Sequence, residues 1–346
     1  MSTKRVTVYD IAERVGVSHT TVSLALRNHP DVTQKRREEV RRVAKEMGYV
    51  PDPHLAALAA YRRGNRPLAI QSAIAWFNHW DQPGRLRKQR EFDAYWHGAQ
   101  EAAKRFGYQL EEICWSANIT ARRFEQILLT RNIRGVLIPP HATPPDWGDF
   151  DWNKFSVIRF GLSVPHPDSH LVTADQLRGV LMAVKRISDY GYARIGLIVS
   201  EDYDRKLGGS FIGGYRSAQQ FFNLPVLPPL LTDQEIYQKN GDRAKKALKS
   251  WMEKTKPDAV LTVEAQIPAL LGELNYRIPE DVAVAGSSWD VPVDAGIDQH
   301  SIAIGRTALE MLVAQINLNE RGEPADPCRI LVESRWRDGA SLPPRR

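Results

Sequence analysis

The chain has 346 residues, with 47 Lys and Arg against 41 Asp and Glu, a formal net charge of +6, nine tryptophans and two cysteines. That length exceeds one ordinary core, and no apolar stretch approaches the ~18 residues of a membrane-spanning helix. Cys114 and Cys328 imply no disulfide scaffold and suit a reducing compartment; MSTKRVT runs straight into a polar helix, so no secretory signal is read and a cytoplasmic location is expected.

Residues 6–30, VTVYDIAERVGVSHTTVSLALRNHP, read as two short helices around a tight turn. Thr7 can cap the first helix, and Asp10 three positions later completes a capping box. Ile11, Ala12 and Val15 share one face, and Gly16 and Val17 make the turn. Ser18 caps a second helix with Val22, Ala25 and Leu26 facing inward and His19, Thr20 and Ser23 facing out. A third helix, capped by Thr33, carries Val40, Val43, Ala44 and Met47 on one stripe and ends at Gly48. Its other faces hold Lys35, Arg36, Arg37, Arg41, Arg42 and Lys45. This is the shape of a helix-turn-helix, which lays its second helix in the major groove of DNA. Charge agrees: residues 1–66 hold 13 Lys and Arg against 7 Asp and Glu, while the remainder holds 34 of each. A basic head on a neutral body is the footprint of a phosphate-binding module. The head lacks the bulky apolar stripe of a membrane-surface helix, so no membrane partner is expected.

On Val6–Thr7, Asp10–Ile11–Ala12, Gly16–Val17–Ser18, Thr21–Val22–Ser23 and Gly48–Tyr49–Val50–Pro51, the first 60 residues resemble the lac repressor family of bacterial transcription regulators. The resemblance implies that His19, Thr20 and position 24 read base edges, and that Thr7, Ser18, Ser23 and Asn28 hold the backbone. Arg is common at position 24 in the family; Leu24 here can only touch thymine methyls or pack, which implies a different preferred site. His19 is alternatively a solvated surface residue.

Residues 52–64, DPHLAALAAYRRG, read as a short helix with Asp52 as cap and Pro53 in its first turn. By resemblance it is a hinge helix that orders on DNA, with Leu58 as the wedge in the minor groove; the other reading is a plain linker.

From residue 66 apolar runs alternate with amphipathic stretches, the rhythm of βαβ units. Strands are expected at 69–76, 134–139, 155–160, 194–199, 259–263 and 282–286, and helices at 92–106, 121–131, 176–190, 211–222, 242–254 and 305–318. The resemblance extends here through Arg134–Gly135–Val136, Gly191–Tyr192, Gly214–Tyr215 and Ile278–Pro279–Glu280–Asp281–Val282. The expected fold is an all-α helix-turn-helix head plus hinge helix, joined to a two-lobed α/β effector domain with parallel sheets, similar to periplasmic binding proteins. The expected division is a head at 1–51, a hinge at 52–65, an effector-binding and dimerisation domain at 66–340 and a tail at 341–346. Lobe one is set at 66–190 plus 300–321, and lobe two at 191–298 plus 323–338.

An effector would bind between the lobes. By resemblance Arg205 contacts it, or else pairs with Asp202 or Asp204; Asp175 is a ligand acceptor or a helix cap. Glu264, Ser288 and Trp289 replace the family's usual polar contacts, so relatives' ligands do not carry over. Trp76 and Trp80 end the first strand, where open sheets bind ligands. Each Trp is core, dimer interface or ligand platform; together they favour a saccharide over a purine or nucleoside.

No P-loop, GxSxG, HExxH or CxxC motif is present, and His166 and His170 are split by Pro167, so no catalytic residue, metal or cofactor is expected. The expectation is a cytoplasmic, sequence-specific regulator, a repressor before an activator, that binds a pseudo-palindromic double-stranded operator as a homodimer and answers to a small molecule. The alternatives are a solute-binding receptor without DNA regulation, and a regulator that has lost its effector response.

Overall fold

The computed structural model describes residues 6–26, 31–47, 49, 72–115, 118–233 and 241–345. At the amino end, α1 (Val8–Val15), α2 (His19–Leu26) and α3 (Gln34–Glu46) form a three-helix head. Its core is small: Ile11, Ala12, Val22, Ala25, Val32, Val40, Val43 and Ala44. The capping box forms as expected: the Thr7 N–H donates to Asp10 Oδ2 at 2.7 Å, and the Asp10 N–H reaches Thr7 Oγ1 at 3.4 Å. Gly16 closes α1 in the left-handed region at φ 72°, a conformation that costs glycine no Cβ clash. The Thr21 N–H donates to Ser18 Oγ at 3.1 Å, capping α2. Thr33 precedes α3, but its side chain makes no cap hydrogen bond, so that end of the helix lacks the expected anchor. Gly48 and the hinge at 52–65 lie outside the described residues.

The body holds two six-stranded sheets. The first runs β11-β5-β4-β3-β1-β2, with β1 Ser72–Asn78, β2 Tyr108–Cys114, β3 Gly135–Ile138, β4 Ser156–Phe160, β5 His170–Ala174 and β11 Arg329–Val332. Every pairing in it is parallel. The second runs β12-β10-β9-β8-β6-β7, with β6 Ile195–Ser200, β7 Leu230–Thr232, β8 Ala259–Thr262, β9 Ala283–Gly286, β10 Gly296–Asp298 and β12 Arg335–Arg337. Only β12 pairs antiparallel there. The central strands β3 and β6 are buried throughout, as parallel strands covered on both faces must be.

Helices α4 (Arg90–Phe106) and α11 (Ser301–Leu318) cover one face of the first sheet, while α5 (Ala121–Thr130) and an aromatic cluster cover the other. On the second sheet, α6 (Gln176–Asp189) and α8 (Ser210–Phe221) cover one face, with α9 (Gly241–Thr255) and α10 (Ile267–Glu273) on the other. Helix 176–189 therefore packs in lobe two, not in lobe one where the expected division puts it: Val180, Ala183, Val184 and Ile187 bury against Leu197, Tyr215 and Ala285. Strand β11 likewise returns to lobe one. The chain crosses between lobes at 175, at 299–300 and at 333–334. Helix α11 begins four residues earlier than expected, with Ser301 and Ile304 buried in its first turn. Strands β10 and β12, three residues each, have too little apolar character to be read from sequence.

The closest backbone approach in lobe one is glycine-made. A Cβ at Gly305 would lie 1.9 Å from the Tyr95 carbonyl oxygen, and one at Gly98 would lie 2.0 Å from the Ile302 carbonyl oxygen. Gly305→Ala should therefore destabilise the protein by about 1–3 kcal/mol or more through overpacking. Gly213→Ala, in open space within α8, should be neutral or stabilising by up to about 1 kcal/mol. Paired thermal unfolding curves check this; equal midpoints would contradict the packing described.

Candidate functional site

On the head, Ser18, His19 and Thr20 are exposed at the start of α2, while Ser23 is half-buried. The His19 ring stacks on Tyr9 of α1, 4.8 Å between centroids, and Tyr9 itself is 67% exposed. Tyr9 thus braces His19 at the outer surface; a lone exposed Tyr beside the capping box gave no earlier sign of this. Leu24 packs in part against the head core, which favours its packing role. Thr7 spends its hydroxyl on Asp10. Around α3, Arg36 pairs with Glu39 at 2.8 Å and Arg42 with Glu46 at 2.9 Å, both on the surface. Asn28 and Leu58 lie outside the described residues.

In the body, strand polarity locates the second site. Strand order reverses between β1 and β3 in one sheet and between β6 and β8 in the other. Loops at the carboxyl ends of such strand pairs form the ligand crevice of open α/β sheets. In lobe one these are the segments from Asn78 and from Pro139. They are tied by His141, whose Nδ1 lies 2.8 Å from the Pro139 carbonyl and whose Nε2 accepts the His79 N–H at 3.0 Å. That pattern makes Nδ1 the protonated nitrogen, and burial holds the imidazole down to about 4. Trp80 is half-buried; its indole N–H donates to the Pro140 carbonyl at 3.0 Å and its ring packs near Phe92.

In lobe two the corresponding segments start at Glu201, Val263 and Ser287. Glu264 is buried, accepts from Thr232 Oγ1 at 3.2 Å and Gln266 Nε2 at 3.3 Å, and is pushed above the usual carboxylate range by burial. Ser288 is buried and Trp289 half-buried. Lys206 crosses to the Ala142 carbonyl at 3.1 Å, so α7 (Glu201–Lys206) faces lobe one.

Sequence reading missed Glu91. It sits in the first turn of α4, is 8% exposed, and accepts the Trp289 N–H at 3.4 Å from the other lobe. Burial raises its carboxyl to about 7, with Asp290 and Asp298 adding to the rise. Tyr203 and Tyr95 nearby are also raised, first by burial and then by Glu91.

Three residues take the structural alternative that the sequence leaves open for each. Trp76 is fully buried in the lobe-one core, its ring against Trp96 and Phe160 at 5.5 and 5.1 Å, because strand alternation turns Ile74 and Trp76 toward α4 and α11. Asp175 caps α6, accepting the Arg178 N–H at 3.0 Å. Arg205 is exposed and paired with Glu201 at 2.9 Å and Asp202 at 3.5 Å. Of the expected effector residues, Trp80, Glu264, Ser288 and Trp289 stand on the segments that follow the strand carboxyl ends, and Glu91 meets Ser288 and Trp289 there. Among the described residues no group of three His, Cys, Asp or Glu is placed to hold a metal, and no helix is long and apolar enough to cross a membrane.

Comparison with known proteins agrees with both halves. The pattern of the family described as bacterial regulatory proteins, lacI family, matches residues 7–52, and that of a periplasmic binding protein-like domain matches residues 184–342. The HTH-type transcriptional regulator CelR of Thermobifida fusca is 25% identical over 346 residues, covering 96% of each chain. The HTH-type transcriptional repressor CytR of Escherichia coli (strain K12) is 24% identical over 347 residues, again with 96% of each covered. A solved transcriptional regulator CelR–cellobiose complex shares the fold, with TM-score 0.58 and 22% identity over 97% of this chain and 100% of that one. So does a lac repressor dimer bound to operator, with TM-score 0.53 and 17% identity over 98% and 99% of the two chains.

The His141 arrangement predicts a titration. Its folded value lies below the ordinary 6.5, so its contribution to stability is complete above 6.5 and is lost as pH falls from 6.5 toward 4. Imidazole NMR resonances followed from pH 8 to 4 should show one histidine still neutral at pH 5.5. If every histidine titrates near 6.5, the buried tie between β1 and β3 is wrong.

Proposed function

This chain belongs to the lacI family of bacterial regulatory proteins, and we propose that it is a cytoplasmic repressor that binds a pseudo-palindromic operator as a homodimer, controlled by a saccharide in the interlobe cleft. The observation that carries the DNA reading is the exposed Ser18–His19–Thr20 edge at the start of a capped α2, braced by Tyr9. A recognition helix contacts base edges with its amino-terminal residues, and phosphate contacts set register around it. Two such heads reading two half-sites require a two-fold dimer, and the lac repressor of like fold was solved as an operator-bound dimer.

The effector reading rests on the cleft's chemistry. Glu91 and Glu264 accept hydrogen bonds, Ser288 both donates and accepts, and the Trp80 and Trp289 rings offer apolar faces. Sugar hydroxyls and C–H faces suit that combination. CelR, similar along its whole length, was solved with cellobiose. Binding would change how the lobes sit about their three crossings and so alter the spacing of the two heads. Such coupling is reciprocal: if effector weakens operator binding, operator weakens effector binding. A regulator without effector response is the second reading, favoured by the direct bonds that already join the lobes at Glu91 and Lys206.

Selection of bound duplexes from a random pool should give a two-fold symmetric site. His19→Ala should lose about 1–3 kcal/mol of discrimination at one base pair per half-site while keeping the rest; an unchanged base preference would remove His19 from the interface. Cellobiose and related sugars should change Trp emission in the wild type and not in Trp289→Ala. Silence across a broad sugar panel would turn the account to the second reading.

A further inference from the structure

Two consecutive residues of lobe one grip one peptide of lobe two. Arg90 Nη1 donates to the Trp289 carbonyl at 2.9 Å, with its guanidinium 6.0 Å from the Trp289 ring centroid. Glu91 accepts the N–H of the same Trp289 at 3.4 Å and the hydroxyl of Ser288. Both backbone groups of Trp289 are thus held from the first turn of α4. The gripped loop is itself anchored. Ser288 Oγ accepts the Asp290 N–H at 3.2 Å, and Gln299, in one of the three crossing segments, donates to the Ser287 carbonyl at 2.8 Å. A change in grip therefore bears directly on a crossing between lobes.

The surroundings of Glu91 set the sign. Facing it are Asp290 on the gripped loop and Asp298 at the end of β10, both acidic, with Tyr203 of α7 and Tyr95 of α4. Its chain neighbour Arg90 is turned to the Trp289 carbonyl. A carboxylate closed in with two others is disfavoured in its charged form. Once protonated, it still accepts from the Trp289 N–H through one oxygen and donates from the other to Ser288 Oγ.

We propose that Arg90 and Glu91 latch lobe one to the Ser288–Trp289 loop, and that proton uptake from solvent by Glu91 closes this latch while proton loss loosens it. With lobes apart the carboxyl returns toward its ordinary 4.5, and in the closed cleft it lies at about 7. Closure is therefore favoured in full below 4.5 and weakens as pH rises to 7, beyond which it changes no further. This goes beyond the regulator reading, and its test needs neither operator nor sugar, so failure here leaves the head's assignment intact.

Amide hydrogen exchange of the full chain at pH 6 and pH 8, corrected for intrinsic rates, tests it. The amides of residues 287–291 should be about tenfold better protected at pH 6 than at pH 8, while β1 is protected alike at both. Glu91→Gln, which keeps the shape without the charge, should be equally protected at both pH values. Arg90→Ala should be less protected at both, with the pH difference retained. Equal wild-type protection at the two pH values, or a pH difference that survives in Glu91→Gln, would overturn the latch.

Discussion

Strand direction governs this molecule. Parallel pairing throughout the first sheet, and everywhere but β12 in the second, sends the chain back through helices and leaves loops at the carboxyl ends. Three short crossings then set the two sheets so that lobe-one loops meet lobe-two loops: Arg90 and Glu91 reach Trp289, and Lys206 reaches Ala142. Polar groups gather there because the strands themselves are apolar and buried. Glu91 and Glu264 are buried there, and burial raises both carboxyls above the ordinary range.

The head obeys different physics. Eight buried apolar residues make a small core, and local bonds complete it: the Thr7–Asp10 box, the Ser18 cap and the left-handed Gly16. Its outer edge is polar and exposed, with His19 stacked on Tyr9. The body is far more heavily packed, down to the backbone contact between α4 and α11 at Gly98 and Gly305.

What the sequence disclosed follows from range. The capping box and turn of the head are contacts three to five residues long, so residue types alone announce them. Strands such as Gly135–Ile138 are legible because both faces are apolar. Arg205 takes the pairing with Asp202 that its sequence neighbours offer, and adds Glu201 one helical turn back, which the sequence reading does not name. For Trp76 the sequence leaves core and ligand open, and strand register decides by placing it with Ile74 under α4. Glu91 could not be found, because an acidic residue in the first turn of a helix is ordinary and its partner lies 198 positions away. The lobe assignment of helix 176–189 failed for the same reason: its apolar stripe fits either sheet, and only the crossing at residue 175 decides.

The central claim is that the amino-terminal head grips duplex phosphates and thereby makes the chain a DNA-binding regulator. Equilibrium binding of the full chain to duplex DNA across a range of salt concentrations tests it most directly. The account predicts that log affinity falls linearly with log salt, steeply enough to report several phosphate contacts on the two heads. Affinity that is absent at low salt for every duplex tried, or that ignores salt, would contradict it and leave only a two-lobed receptor.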